Sequence, residues 1–413
     1  MRRPSARAGM TRSVLVAAAL VLSACAAPAA EPPAEPLRAD VEFVGVAADA
    51  TRDEAMVEAS IRLATQLLDL GEPGEDVVVS PASLQLALAL LREGASGRVA
   101  EEIDAAAGLT GSQAVADLRA ALAEHEGDVA GIDPDDPPAT PLLHIADSAF
   151  VQEGASAQAE FLERIAEYHD AGVRRGITKA LLDAWAVEET GGLIQEAPVT
   201  PTPNTQVVLM NAVTFGATWA NQFAPEDTAD GPFRLADGAT VLVPLMRQAT
   251  AIPYADGDGW VAVELPYAAG FVMRLVLPDD GALSVEAWVD AHRALDGAAP
   301  TELSLTLPTW ETDTTLDLTD SLESLGLASL PAPDGGLDGV FPGAFVSAVA
   351  QGATITVAEK GTVAAAVTAI VLDDSAALLP PLEVRFDRPF EYQVVHSGTG
   401  LVLFAGRVVD PHD

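Results

Sequence analysis

Cysteine is almost absent from this sequence. The 413 residues include one cysteine, Cys25, so no disulfide can form within the chain. A zinc site built from several cysteines is excluded for the same reason, and none of the six histidines stands in an H-E-x-x-H motif. We therefore expect the protein to depend on packing for its stability and to hold no metal.

Basic residues are also scarce. The sequence has 22 Lys and Arg against 61 Asp and Glu, which gives a formal net charge of −39 at pH 7. A surface this acidic repels phosphate and sulfate groups. Nucleic acid is therefore a poor partner for this protein, and a polyanionic activator is disfavoured.

Motifs for nucleotide binding and hydrolysis are missing. No glycine-rich phosphate loop follows a strand-like segment, and no G-x-S-x-G motif is present. Pairs of acidic residues carry no information, because 61 such residues place pairs almost everywhere. We expect neither a cofactor nor an enzyme activity; a Ser-His-Asp set brought together only by folding is the alternative.

The apolar run near the N-terminus is short. Val14–Leu22 has nine residues, too few to span a bilayer as a helix. It follows Arg12 and ends in Leu-Ser-Ala-Cys, so residues 1–24 have the layout of an export signal. The ending resembles a bacterial lipobox, which implies lipidation of Cys25; the alternative is an ordinary signal peptide cut nearby. We expect an exported protein, secreted or held at the cell surface by the lipid alone.

Composition changes after the signal. Residues 25–50 are rich in Ala, Pro and Glu, which predicts an unstructured tether. The chain as a whole is 49% hydrophobic, enough for a substantial core. Because no repeat and no second linker divides residues 51–413, we expect a single domain there.

Helical patterns dominate the first half of that domain and strand patterns the second. Residues 53–70 space their apolar side chains as one helix face, Ser80-Pro81 begins another helix, and 112–124 and 155–168 are also helical. From about residue 205, short β-type runs alternate with turn residues. This segregation predicts an α+β fold.

Six stretches, in order along the chain, together resemble the serpin family. They span nearly all of residues 50–411, and although each alone is ordinary helix or strand sequence, six in register are specific. The stretches are VVVSPASLQLALALLREGASGRVAEEI (77–103), LLDAWAVEETGGLIQEAP (181–198), VLMNAVTFGATWANQFAPEDT (208–228), AVELPY with MRLVLPDD (262–280), VAEKGTVAAAVTA (357–369) and VRFDRPFEYQVVHSGTGLVLFAGRVVDP (384–411).

The resemblance implies a serpin fold of three β-sheets with eight or nine helices and an exposed reactive loop at about residues 359–381. It also implies a suicide-substrate inhibitor that works as a monomer. A serine endopeptidase attacks the loop and forms an acyl-enzyme, and the cleaved loop then inserts into the central sheet and traps the protease.

The residues at the start of this loop suit insertion. A strand that slides into a sheet needs uncharged side chains on both faces and no proline, and residues 362–372 meet both conditions. Charge or bulk there is common in non-inhibitory members, so we favour an inhibitor over a non-inhibitory serpin-like binding or structural protein. The expected hinge residues are Glu359, Gly361, Thr362, Ala364, Ala365 and Ala366.

Two counts place the cleaved bond differently. Counting from the hinge as the family spaces it implies Ser375–Ala376, whereas counting back from Val384 implies Leu378–Leu379, so the window runs from Asp374 to Leu379. Small or apolar residues occupy most of this window, and no Arg or Lys does. We therefore expect an elastase-like, subtilisin-like or chymotrypsin-like serine protease and not a trypsin-like one; a cysteine protease is a further alternative.

Other matched positions imply a region where the central sheet opens. Ser80, Ser83 and Asn211 would lie in it, and Trp219 would lie at the top of the sheet. Gln351 stands where the family usually has a histidine, and because glutamine also donates and accepts hydrogen bonds, we expect altered gating and retained function. Packing and hydrogen bonding in the core is the equal alternative for these residues.

Overall fold

The computed structural model describes residues 36–72, 74–129, 137–333, 335–362 and 382–412. These ranges contain seven α-helices, where eight or nine were expected, and fifteen strands. The helices are α1 (Glu54–Leu68), α2 (Pro81–Arg92), α3 (Gly97–Ala107), α4 (Ser112–Ala123), α5 (Ala159–His169), α6 (Lys179–Glu189) and α7 (Val285–Asp296). The strands are β1 (Val77–Val79), β2 (Leu142–Val151), β3 (Val173–Arg175), β4 (Val207–Thr218), β5 (Ala229–Arg234), β6 (Thr240–Gly257), β7 (Trp260–Pro266), β8 (Phe271–Pro278), β9 (Pro300–Pro308), β10 (Trp310–Asp317), β11 (Val346–Val357), β12 (Gly361–Thr362), β13 (Leu382–Arg385), β14 (Phe390–His396) and β15 (Val402–Val408).

The helix starts follow capping rules. Asp53 caps α1 by accepting hydrogen bonds from the backbone N–H groups of Ala55 and Met56. Ser80 caps α2, and Pro81 occupies its first turn, where the missing N–H costs nothing. The predicted α+β class and the four helices predicted from their patterns are confirmed. No helix in the described ranges is long and apolar enough to cross a membrane.

The strands form two hydrogen-bonded sheets. The central sheet has the order β10-β11-β4-β2-β3, with β12 paired to β4. The second has the order β1-β15-β14-β8-β7-β6-β9-β13, with β5 added beside β6. The three expected sheets appear as two because β6 is 18 residues long: its segment 245–253 pairs with β9 and its last residues, 254–257, pair with β7.

Strand β4 is buried on both faces along all 12 of its residues. On the inner face, Phe215 lies between the two sheets, with its ring 5.1 Å from that of Phe271 and 5.2 Å from that of Tyr267. On the outer face, α6 covers the sheet, and its Trp185 packs edge-on against Phe150 of β2 at 6.1 Å. This burial explains why the sequence of β4 is nearly all apolar instead of alternating.

Residues 36–50, here named the N-terminal strap, pack on the domain. Leu37 exchanges two backbone hydrogen bonds with Val173, at 2.7 and 2.9 Å, and so extends the central sheet beyond β3. Val44 N–H donates to the Glu167 carbonyl at 3.0 Å. The expected tether over 25–50 is therefore corrected from Pro36 onward, because backbone hydrogen bonds to β3 and α5 order residues whose composition predicts no structure.

We expect Gly45→Ala to loosen the strap. A β-carbon at Gly45 would lie 2.2 Å from the carbonyl oxygen of Ala116, so the strap or α4 must shift. The expected loss of unfolding free energy is about 1–3 kcal/mol in urea denaturation, with faster proteolysis inside the strap. Gly297→Ala is the matched control, since its β-carbon meets nothing within 4 Å. Equal behaviour of the two variants would contradict the assigned packing.

Candidate functional site at the top of the central sheet

The parallel pairing of β11 with β4 covers only part of both strands. It begins at Val346 and Val207 and ends where Gly352 faces Ala212, although both strands continue. Beyond that point β12 pairs antiparallel with β4 at Ala217 and Thr218. We call the gap between 353–357 of β11 and 213–216 of β4 the slot. Among the described residues, no strand pairs with 213–216 of β4 on the edge that faces β11.

The first residues of the expected reactive loop are docked at the top of the slot. Trp219 N–H donates to the Lys360 carbonyl at 3.0 Å, and its indole N–H donates to the Ala358 carbonyl at 3.0 Å. Phe223 N–H donates to the Glu359 carbonyl at 2.8 Å. Three consecutive carbonyls are therefore held, which fixes the point where the chain turns back from β11.

Thr362 is the last described residue of the hinge, and it is fully buried. Its hydroxyl lies 2.7 Å from the hydroxyl of Tyr267, whose ring stacks on Trp219 at 4.4 Å. Burial raises the pKa of Tyr267 far above its usual value, so the phenol stays protonated and can donate. A small polar residue from the loop thus already has a partner inside the sheet.

Gly361 occupies a position that only glycine suits. Its φ is +152°, and a β-carbon there would lie 2.3 Å from the Ala217 carbonyl oxygen and 2.7 Å from the α-carbon of Thr218. The backbone of β12 approaches β4 closely because no side chain stands between them. Gly361, one of the expected hinge residues, is therefore the residue that allows β12 to pair with β4 at this distance.

We expect Gly361→Ala to release the hinge. The strain and clash should favour the undocked state by about 1–3 kcal/mol. Hydrogen–deuterium exchange of peptides covering 357–362 should accelerate by roughly 5- to 150-fold, while peptides from β2 stay unchanged. Gly297→Ala should leave all of these rates at their wild-type values. Unchanged exchange in Gly361→Ala would show that this close approach does not hold β12 in place.

A row of polar side chains crosses the central sheet below the slot. Asp147 of β2 lies opposite Asn211 of β4, and Asn211 lies opposite Gln351 of β11. Gln351 accepts from Ser80 N–H at 2.9 Å and donates to the Ser80 carbonyl at 2.7 Å and to Asn211 Oδ1 at 3.5 Å. We name Asp147, Asn211 and Gln351 the polar row.

Ser80 connects the polar row to β15 and to the start of α2. Its hydroxyl donates to the Leu403 carbonyl of β15 at 2.6 Å and accepts from Ser83 N–H at 3.3 Å. The structure thus brings Ser80, Ser83, Asn211 and Gln351 together and places Trp219 apart from them, at the hinge. A role for these residues in opening the sheet stays a prediction.

Two positions at the site, Asp147 and Tyr267, were missed by the sequence reasoning. Asp147 is buried and pairs with Arg119 of α4 at 2.8 Å, and burial raises its pKa while the nearby guanidinium opposes the rise. The sequence did offer one indication of Asp147, because it is the one charged residue in the mostly apolar stretch IADSAFV. Tyr267 stands in the matched sequence AVELPY, but nothing local predicts that its hydroxyl meets Thr362.

Some predicted residues lie outside the described ranges. These are Cys25, Ala364, Ala365, Ala366 and the window from Asp374 to Leu379 that contains Ser375 and Ala376. The flanks of the loop are described: β12 ends on the central sheet, and β13 begins beside β9 of the second sheet. In the described ranges no group of three His, Cys, Asp or Glu side chains is arranged to hold a metal ion.

His144 links β2 to α6 and to the segment that follows α4. Its Nε2 lies 3.0 Å from Oε2 of Glu189 at the end of α6, and its Nδ1 is bonded to Glu126 after α4. These bonds, Glu126 first, raise the pKa of His144 to about 9. At neutral pH the ring is therefore an imidazolium that donates from both nitrogens.

The stabilisation from His144 should disappear in mild base. Because its pKa is about 9 in the folded protein, against 6.5 for an unperturbed histidine, its contribution is complete below pH 6.5 and is lost as the pH rises to 9. We expect up to about 3 kcal/mol, measured by urea denaturation across this range. His144→Gln should abolish that part of the drop, whereas His412→Gln, at the exposed C-terminus, should retain it. An equal drop in all three proteins would contradict the assignment.

Comparison with known proteins gives one consistent result. A family model described as Serpin (serine protease inhibitor) matches residues 54–411. Leukocyte elastase inhibitor of Bos taurus is 29% identical over 391 residues, covering 87% of this chain and 100% of that protein. Serpin-ZXA of Oryza sativa subsp. japonica is 30% identical over 394 residues, covering 85% and 95%. The native state of a thermophilic serpin, tengpin, matches with a TM-score of 0.76 at 21% identity, covering 92% and 100%, which is a likeness of fold.

Proposed function

The chain belongs to the serpin family, and we propose that it is a suicide-substrate inhibitor of an extracellular serine endopeptidase. The observation that carries the proposal is the slot. β11 and β4 stop pairing at Gly352 and Ala212, although both strands continue, and the start of the reactive loop is docked farther along β4, at Ala217 and Thr218. A segment continuing from this point would add a strand between them, antiparallel to both.

The register supports this insertion. Gly361 faces Thr218 and Thr362 faces Ala217, so continued pairing would bring Leu372 opposite Val207, the first residue of β4. The uncharged segment 361–372 therefore has the same length as β4, 12 residues. The first charged residue after it, Asp373, would fall just beyond the strand.

The same register gives the inner face of the inserted strand suitable neighbours. Ala364 would face Phe215, where space is limited by the packed rings, and Thr368 would face Asn211 in the polar row. A hydroxyl at that position can take over part of the hydrogen bonding that Gln351 now supplies. On this one face, a small residue would thus meet the packed rings and a polar residue would meet the polar row.

The chemistry before insertion belongs to the protease. Its nucleophile would attack a carbonyl within 374–379, so that the peptide bond breaks, the amine of the following residue leaves as a new N-terminus, and an acyl-enzyme forms. Insertion would then carry the acylated residue away from the hinge before water hydrolyses the acyl bond. The window contains no Arg or Lys, which favours elastase-like, subtilisin-like or chymotrypsin-like targets. The name of one relative, leukocyte elastase inhibitor, agrees with this class.

We also propose export, with a lipid on Cys25. The support is the sequence of residues 1–25. The strap begins at Pro36, so the intervening residues would keep the domain within roughly 40 Å of a membrane that holds the lipid. At this distance the inhibitor would act on proteases that approach the cell surface.

Covalent trapping tests the proposed function. Incubation with pancreatic elastase, subtilisin and chymotrypsin should give, with at least one of them, a complex that survives a denaturing gel, because the acyl bond is covalent. Ala364→Arg should be cleaved without forming the complex, since insertion would bury a charge against Phe215. Leu382→Arg, at an exposed position after the loop, should still form it.

Two further measurements decide between inhibition and the alternative, a non-inhibitory serpin-like binding or structural protein. Mass spectrometry of the released C-terminal peptide should place the cleaved bond within 374–379. Cleavage there should raise the melting temperature, because the inserted strand completes the pairing of β4. Cleavage with no complex and no rise in melting temperature for the wild-type chain would favour the alternative.

A further inference from the structure

A cavity of about 450 Å³ lies at one end of the second sheet. Strand β14 begins there, and its neighbours β8 and β15 end there, because both run antiparallel to it. The turn that follows β5 and the loop that follows β8 complete the walls. No residue of the lining belongs to the central sheet, so the cavity is separate from the slot and from the polar row.

Two arginines of the lining have no acidic partner among the described residues. Arg388 is half-buried, and its Nη2 donates to the Pro278 carbonyl at 3.3 Å. Arg234 is exposed, and its backbone N–H donates to the Asp387 carbonyl at 2.8 Å, which places it beside the segment that carries Arg388. Both guanidinium groups can therefore accept a carboxylate from outside the chain.

The third arginine of the lining, Arg407, is already neutralised. Its Nε donates to Glu391 Oε1 at 2.9 Å, and its Nη2 donates to Asp69 Oδ1 at 3.2 Å. Glu391 is buried and also accepts from the indole N–H of Trp288 at 2.7 Å. This group of charges forms a fixed wall, so the remaining charges of the lining decide what can bind.

Two aspartates stand close to the unpaired arginines. Asp279 and Asp280 follow Pro278 directly, line the same cavity and are exposed. The guanidinium of Arg388 lies against the Pro278 carbonyl, yet among the described residues no ion pair joins either aspartate to an arginine. The cavity thus presents both signs of charge near each other. A simple anion or cation would be repelled by one of the two sets, whereas a zwitterion would match both.

Apolar side chains form the rest of the wall. Pro278 and Phe390 are buried, and Leu235 and Pro389 are half-buried. A ligand that places an apolar side chain against them would remove it from water, which favours binding. The lining therefore suits a small molecule with two opposite charges and an apolar group.

We propose that this cavity binds a free α-amino acid with an apolar side chain. Its carboxylate would accept hydrogen bonds from Arg388 and Arg234, and its ammonium group would donate to the carboxylates that follow Pro278. An α-amino acid carries both charges on one carbon atom, which suits groups that lie this close together. The other acidic residues of the chain affect this site little, because exposed charges are screened beyond about 8 Å at physiological ionic strength.

Calorimetric titration of the full chain at pH 7 with leucine, leucinamide and N-acetylleucine tests the proposal. The three probes share a side chain, but leucinamide lacks the carboxylate and N-acetylleucine lacks the ammonium group. We expect one-to-one binding of leucine and roughly tenfold weaker binding of each blocked probe, because each loses charge-assisted hydrogen bonds. No protease takes part, so the result is independent of the inhibitory function.

Charge-removing variants locate the site. Arg388→Gln should abolish the preference for leucine over leucinamide, and the double variant Asp279→Asn with Asp280→Asn should abolish the preference over N-acetylleucine. Arg175→Gln, at an exposed arginine of β3 outside the cavity, should change neither preference. If Arg388→Gln does not fold, the three probes and the double variant still decide, since both aspartates are exposed.

Several results would overturn the proposal. Equal binding of leucine and N-acetylleucine to the wild-type chain would indicate a site for anions alone, and equal binding of leucine and leucinamide would indicate a site for cations alone. Absence of binding at millimolar leucine would leave no amino-acid site. Preferences that persist in both charge-removing variants would place the binding elsewhere on the chain.

Discussion

The pairing of β4 is the constraint on which the rest of the structure depends. A strand buried on both faces must find partners for its backbone groups inside the protein. On one side β2 pairs with β4 from Val207 to Gly216, but on the other side β11 and β12 leave residues 213–216 without a paired strand among the described residues. A further strand in this position would complete the sheet, and the docked hinge, paired with Ala217 and Thr218, ends beside it.

The polar row lies where such a strand would have to enter. A strand inserted along β4 would come between Asn211 and Gln351, which now face each other and share a hydrogen bond. Gln351 is also bonded twice to the backbone of Ser80, so moving β11 means breaking contacts with α2 as well. Each buried partner left unmatched costs about 1–3 kcal/mol. Insertion would therefore have to break these side-chain hydrogen bonds as well as the backbone pairing of β11 with β4, and the added strand would then pair with both strands.

Local rules account for part of what the sequence predicted. The start of α2 follows from Ser80 and Pro81, because capping depends on one or two residues. The hinge was expected from the family resemblance, and Gly361 adopts there the positive φ that glycine permits. The missed features depend on distant parts of the chain. Arg119 and Asp147 are 28 residues apart, and the strap is ordered by contacts with α5 and β3 that no property of its own composition reveals.

Helix α6 sets the remaining condition for insertion, because it covers the outer face of β4 and β11. Beneath it lie Met210, Ala212, Ala348 and Ala350, which are mostly small. A strand inserted in the register of β12 would present only valine and alanine to this face, from Val363 to Val371. Such side chains displace the helix little. Insertion would therefore require only a small displacement of α6, and His144 is one of the contacts between that helix and β2.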